Sequence, residues 1–192
     1  MLVFLFNHHK YLCILFIIFL LPCFSYSQKK KLREIEYFER NNQKIKGITK
    51  IIIDKSDYFL RVYDEVGLFA RYPVVFGNDV DKDKFKEGDK RTPEGTFIIQ
   101  YIQPHHKWHV IMMLDYPNKE SVKKFEQRKK ECDIKVTDKI GGAIGIHGTW
   151  PKESYLIDKY RNWTDGCISL KNEHIDDLRK YVVKGTVVEI QK

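Results

Sequence analysis

Cysteine is scarce in this chain: four among 192 residues, too few to staple a scaffold through disulfides. Long apolar runs are lacking as well. The longest, Tyr11–Leu21, holds eleven residues, against the ~20 that a bilayer-spanning helix needs. No internal repeat and no second domain boundary is visible, and the length suits a single domain with at most an appendage. Core-forming residues are plentiful: 43% hydrophobic and 14% aromatic exclude wholesale disorder. Lys and Arg outnumber Asp and Glu by 34 − 26 = +8, a balance that admits acidic partners without naming one. No nucleic-acid partner is expected.

The eleven-residue run follows a short stretch whose one formal charge is Lys10, and it ends at Pro22. An apolar run of this size near small residues reads as the core of an export signal. Ser25 and Ser27 stand at −3 and −1 of a cleavage before Gln28. Residues 1–27 are therefore expected to be a signal peptide, with an uncleaved N-terminal anchor as the alternative, and the protein is expected in the periplasm or cell envelope. Pro22 makes Cys23 a poor lipoprotein site. Removing 1–27 leaves 165 residues at +7, with Cys132 and Cys167 as the remaining cysteines.

Residues 28–47 form a basic lead-in. Gln28–Lys46 carries seven basic and three acidic residues and reads as an exposed segment or short helix, with Lys29–Lys31 facing solvent or an anionic envelope surface. The domain proper is expected over 48–192. Short β-like runs dominate it: Ile48–Asp54, Tyr58–Asp64, Leu68–Phe76, Gly95–Ile102, Trp108–Asp115, Ala143–Thr149 and Thr186–Gln191. Alternation in the second and Gly67 before the third predict a hairpin. The pattern predicts a mainly β fold with minor α, a sandwich or barrel of short strands. Two helices interrupt it. Lys119–Glu131 reads as a surface helix resting on Val122 and Phe125, with Cys132 on its apolar side. Asn172 reads as the N-cap of a second helix, with Ile175, Leu178 and Val182 on one face and Gly185 ending it. Asn78–Arg91 reads as a mobile polar loop.

Two residues in this pattern are chemically suggestive together. A lone cysteine is a small buried hydrophobe more often than a nucleophile. Cys167, however, follows Thr164-Asp165-Gly166, and a glycine there lets backbone approach closely, with N–H groups at hand for a developing oxyanion. A thiol near pKa 8.5 needs a base to act at neutral pH. His147, in Gly145-Ile146-His147-Gly148-Thr149 at a strand end, is the candidate base, and a structural histidine is its alternative.

The segment Ile146–Leu170 resembles the active-site signature of the YkuD-type L,D-transpeptidases: His, fourteen to seventeen residues, Ser or Thr, His, Gly, Cys. Here His147, Thr164, Gly166 and Cys167 fit. Gly88-Asp89-Lys90-Arg91-Thr92-Pro93-Glu94-Gly95 resembles the family's other recurring stretch. The likeness covers roughly Ile48–Lys192. Two positions depart from it: Asp165 stands where the family has its second histidine, and Ser169 where many relatives carry Arg. By position His147 keeps the role of base. Asp165 orients His147 or anchors the loop; aimed at the thiol it would oppose ionisation.

The resemblance implies a thiolate attack on the carbonyl between the third residue and the terminal D-Ala of a peptidoglycan stem peptide. A thioester on Cys167 and released D-Ala result, with His147 as base and then acid. The Gly148 carbonyl would hold the far imidazole nitrogen, and N–H groups near Gly166 and Cys167 the oxyanion. A second stem's amine then gives a 3→3 cross-link. Water instead gives an L,D-carboxypeptidase, and a third possibility is an inactive wall-binding relative. Carbapenems are the expected inhibitors, and no metal or organic cofactor is implied. Tyr116, Thr149, Trp150, Thr164 and Ser169 are the substrate-binding candidates, and the loop between Trp150 and Trp163 reads as a lid. His105-His106-Lys107-Trp108-His109 lacks a carboxylate or paired-cysteine partner, so it reads as exposed loop and strand rather than a metal site.

Overall fold

Every second side chain points inward along the strands. Ile51 and Ile53, Leu60 and Val62, Ala70 and Tyr72, and Val188 and Ile190 are buried, while their neighbours face outward, the period of two that one core-facing sheet requires. The computed structural model describes residues 32–38, 44–47 and 49–192. Its strands are β1 (Glu36–Tyr37), β2 (Lys50–Asp54), β3 (Phe59–Asp64), β4 (Gly67–Pro73), β5 (Gly95–His105), β6 (His109–Leu114), β7 (Gly145–His147), β8 (Ile168–Ser169) and β9 (Val187–Gln191). The helices are α1 (Lys119–Lys130), α2 (Tyr155–Asp158) and α3 (Asn172–Leu178). None of the helices described is long and apolar enough to cross a membrane.

The strands form one mixed sheet in the order β1-β4-β3-β2-β9-β5-β6-β7-β8. The C-terminal β9 lies parallel to β2 and antiparallel to the start of β5. The rest of β5 runs on to pair with β6, so one eleven-residue strand joins the two halves. Beyond β4 the chain pairs again: Val75 exchanges both backbone hydrogen bonds with Ser169 of β8, at 3.0 and 2.9 Å. The sheet thus curls until β8 meets the continuation of β4, which covers an otherwise open edge. This is the expected mainly β architecture. Seven strands lie where the alternation predicts them. β1 and β8 are two residues each, too short for any periodicity to register.

α1 stands where expected but buries little. Phe125 is its buried residue and Val122 remains exposed. The helix is held instead by its Asn118 cap, which accepts the Ser121 N–H at 3.0 Å, and by Arg128 on Asp83 at 2.6 Å. Cys132 is exposed, just past the helix end at φ 62°, rather than packed in the core. The second helix starts one residue earlier than predicted: Lys171 is its N-cap and Asn172 its first residue. The polar loop is tied down by Asp89, which accepts N–H bonds from Phe85, Lys86 and Arg91 and pairs with Lys84.

The signal-peptide expectation falls on residues outside those described. Of the lead-in, residues 32–38 belong to the folded unit and are mostly exposed, as expected, with Arg33 as the buried exception. Arg33 is buried and donates to the carbonyls of Val74, Ile157 and Tyr58. Its backbone N–H meets Asp158 at 2.7 Å, and Glu36–Tyr37 pairs with β4. A buried guanidinium needs such acceptors on several sides, and residues distant in the chain supply them.

Candidate active site

Parallel pairing of β7 with β8 sets Ile146 opposite Ile168 and His147 opposite Ser169. Cys167, two residues before Ser169, falls on the same sheet face as His147, one diagonal step away. Its sulfur lies 3.5 Å from the Ala143 carbonyl, and the Gly145 N–H is directed at it. Although Cys167 is partly open to the surface, dense packing around the sulfur pushes the thiol up to about 11. The Gly145 N–H and the Lys84 ammonium work against that rise, and the Asp165 carboxylate adds to it.

His147 is buried. Desolvation drives its pKa down to about 4, against the opposing hydrogen bond to the Gly148 carbonyl, and His105 lowers it further. Its Nδ1 is 2.6 Å from the Gly148 carbonyl oxygen. At neutral pH the two side chains thus rest as thiol and neutral imidazole. The imidazole is also held by rings. Trp108 stacks on it at 4.6 Å and 20°, and Trp163 meets it edge-on at 5.6 Å.

Glycine at two positions follows from close approach. At Gly148 a Cβ would collide with the Asn172 Oδ1 and lie 2.8 Å from the Trp108 carbonyl. Gly166 has φ +137°, and a Cβ there would sit 2.6 Å from the Arg91 carbonyl. The stretch ending at Arg91 therefore packs directly against the nucleophile's turn.

The sequence-predicted residues divide accordingly. Cys167, His147, Gly148 and Gly166 come together. Asp165 is exposed beside an open cleft of about 370 Å³, lined also by Lys84, Glu87, Lys90, Gly142 and Ile144. It does not orient His147 through Nδ1, because Gly148 takes that nitrogen. It anchors no loop either, since its carboxylate makes no hydrogen bond or ion pair among the described residues. Thr164 is buried and its hydroxyl is used internally: it donates to the Cys167 carbonyl at 2.8 Å and accepts the Gly166 N–H at 3.1 Å. It shapes the turn rather than meeting substrate, and the Gly166 N–H is thereby removed from the expected oxyanion donors. Ser169 is fully buried and donates to the Gly148 carbonyl at 3.3 Å, so it braces the histidine's partner. Tyr116 is no cleft wall. It packs on Phe97 in the core and directs its hydroxyl at the Ile140 carbonyl.

Thr149 is buried with its hydroxyl unpartnered, as are the indole nitrogens of Trp108 and Trp163; all three belong to the surroundings of His147. Trp150 is 40% exposed. The loop it opens is pinned rather than free: Asp158 meets Lys171 at 3.0 Å as well as the Arg33 N–H, and Leu156 and Ile157 are buried. Among the described residues no cluster of His, Cys, Asp or Glu is arranged to hold a metal. His105 and His106 stack on one another instead, and His105 on Trp108. Residues the sequence reading missed are Trp108, Asn172, Gly145 and Lys84. Only Gly145 sits inside the motif; the others reach the site from remote segments.

The family model for the L,D-transpeptidase catalytic domain (YkuD) matches residues 48–190. No curated protein sequence matches the chain. Among solved structures, the helical cell shape determining protein Pgp2 from Campylobacter jejuni is similar at TM-score 0.58 and 22% identity, covering 85% of this chain and 52% of that one. Bd1075 from Bdellovibrio bacteriovorus aligns at TM-score 0.54 and 21% identity, over 76% of this chain and 48% of that one. An L,D-transpeptidase from Xylanimonas cellulosilytica aligns at 0.51 and 13% identity, over 80% and 65%. The chain spans about half the length of the first two.

Proposed function

Because the chain belongs to the L,D-transpeptidase catalytic-domain family, we propose that it is an exported cysteine acyltransferase acting on peptidoglycan stem peptides, with Cys167 as nucleophile and His147 as base. The observation that supports this reading is the β7–β8 pairing, which sets His147 opposite Ser169, two residues after Cys167, with Nδ1 held by Gly148 so that Nε2 is the nitrogen left to accept a proton.

In the first half-reaction His147 Nε2 takes the thiol proton as Cys167 sulfur attacks the carbonyl that precedes the terminal D-Ala. With the Gly166 N–H spent on Thr164, the Cys167 N–H is the donor for the developing oxyanion in this reading. Collapse breaks the C–N bond, His147 returns the proton to the leaving amine, and a thioester remains on Cys167. In the second, a side-chain amine of another stem attacks the thioester, loses its proton to His147, and regenerates the thiol. The product is a 3→3 cross-link. Water in place of the amine gives L,D-carboxypeptidase chemistry with the same residues. The cleft beside Asp165, bordered by Lys84, Lys90 and Glu87, is the place for a charged stem peptide. Likeness to a cell-shape determinant supports a part in shaping the wall.

Intact mass after incubation with a carbapenem tests the nucleophile: wild type gains one adduct and Cys167→Ala gains none. Mass spectrometry of muropeptide products separates cross-linking from trimming. A wild-type protein that forms no adduct and changes no muropeptide overturns the proposal.

A further inference from the structure

The β5–β6 hairpin ends in an aromatic run whose purpose the proposed chemistry does not by itself explain. Four rings stand in succession: His106 on His105 at 4.8 Å, His105 on Trp108 at 4.5 Å and 8°, and Trp108 on His147 at 4.6 Å and 20°. The backbone is tied in the same place. His105 Nδ1 accepts the Lys107 N–H at 3.2 Å and the Trp108 N–H at 3.3 Å. The Trp108 carbonyl accepts the Gly148 N–H at 3.1 Å, and the Gly148 carbonyl in turn accepts from His147 Nδ1. One residue therefore bears on the imidazole by two routes, through its ring face and through Gly148, the residue whose carbonyl fixes the tautomer.

We propose that Trp108 is a positioning residue for His147, and that His105 sets Trp108 in place by accepting the two N–H groups of the hairpin tip. The inference rests on His147 being the base. Rotation of the imidazole about its Cβ–Cγ bond would lift it off the indole face and break the Nδ1–H bond to Gly148 together, so the stack and the tautomer stand or fall as one. The indole face also favours the imidazolium that forms when Cys167 gives up its proton. Accepting two N–H groups requires an unprotonated Nδ1 on His105. Desolvation, with His106 and Lys107 close by, holds that ring below its ordinary pKa, which keeps the lone pair available. Hairpin tips ordinarily recruit Asn or Asp for this duty, because their side-chain oxygen reaches the N–H groups two and three residues on. A histidine performs it here while adding a stacking surface for Trp108.

The test is the tautomer of His147, read from long-range proton–nitrogen NMR spectra of the full domain at neutral pH, alongside the rate of carbapenem acylation. Wild type is expected to show a single Nδ1–H form. W108L is expected to show mixed tautomers and acylation slowed at least tenfold, whereas W108F keeps the single form and acylates within about threefold of wild type. H105L behaves as W108L does, and H105N, whose Oδ1 replaces Nδ1 as acceptor, restores the wild-type pattern. If W108L does not fold, H105L at the hairpin tip carries the same comparison. A single Nδ1–H form persisting in W108L and H105L overturns the inference. The spectra answer independently of substrate: a wild type that is never acylated counts against the proposed function, while the tautomer pattern still decides the role of Trp108.

Discussion

The carbonyl oxygen of Gly148 and Nδ1 of His147 are 2.6 Å apart. A carbonyl only accepts, so Nδ1 must carry the proton and Nε2 is the free base. A backbone group thus does what a carboxylate does in a Ser–His–Asp site, and it adds no charge to a buried imidazole. This arrangement makes Asp165 unnecessary as an orienting group and directs attention to what surrounds Gly148.

Gly148→Ala is expected to abolish turnover, by a factor of at least about 100, and to destabilise the fold by about 2 kcal/mol or more. The new methyl meets the Asn172 Oδ1 and the Trp108 carbonyl. Adding Asn172→Ala removes the first obstruction and recovers part of the stability, read by thermal unfolding, but not the activity.

Acid is expected to destabilise the protein through His147. Its pKa falls from an ordinary 6.5 to about 4 on folding, so as pH drops the unfolded chain takes up the proton first. The stability is fully present above pH 6.5 and is lost as pH falls towards about 4, a difference of about 3 kcal/mol. His174, also lowered by burial, acts in the same direction. Denaturant unfolding of wild type and His147→Gln across that interval measures it: the variant's stability changes less with pH.

The ionisation of Cys167 is expected to respond in opposite senses to two neighbours. Asp165→Asn removes a charge that raises the thiol and shifts its ionisation below about 11; Lys84→Met removes one that lowers it and shifts it up. The alkaline limb of an iodoacetamide alkylation profile reads both. Shifts of the same sign in the two variants would contradict the placement of these charges.

Arg33→Ala is expected to cost about 2–4 kcal/mol, since three carbonyls and the face of Tyr160, 3.8 Å from the guanidinium, lose their cation. A chain beginning at residue 48, the start of the family match, lacks the same anchor and is expected to unfold at a lower temperature than one beginning at 28. Equal melting temperatures would show that the segment only decorates the domain.

What could be read without the fold was local. Leu60 and Val62, or Val188 and Ile190, announce a half-buried strand because the period of two is written in consecutive residues. His147 and Cys167 announce a reactive pair because the motif holds both within one short stretch. Tyr116, Thr164 and Ser169 look like substrate contacts in sequence, and are not, for the converse reason. A polar side chain near a motif looks the same in sequence whether it faces a cleft or, as here, spends its hydrogen bond on backbone.

The sequence by itself determined the strand pattern, the family and the candidate nucleophile and base, since these depend on side-chain chemistry and on spacing along the chain. Tertiary structure alone decided what surrounds them: Trp108 against the imidazole, Asn172 and the Trp108 carbonyl forcing a glycine at 148, Lys84 and Asp165 pulling the thiol in opposite directions, Arg33 beneath the loop before Cys167. These contacts join segments that are remote in the chain and adjacent only once the sheet has curled and β8 has met the continuation of β4. Burial then shifts the two pKa values apart, and no property of an isolated histidine or cysteine contains that shift.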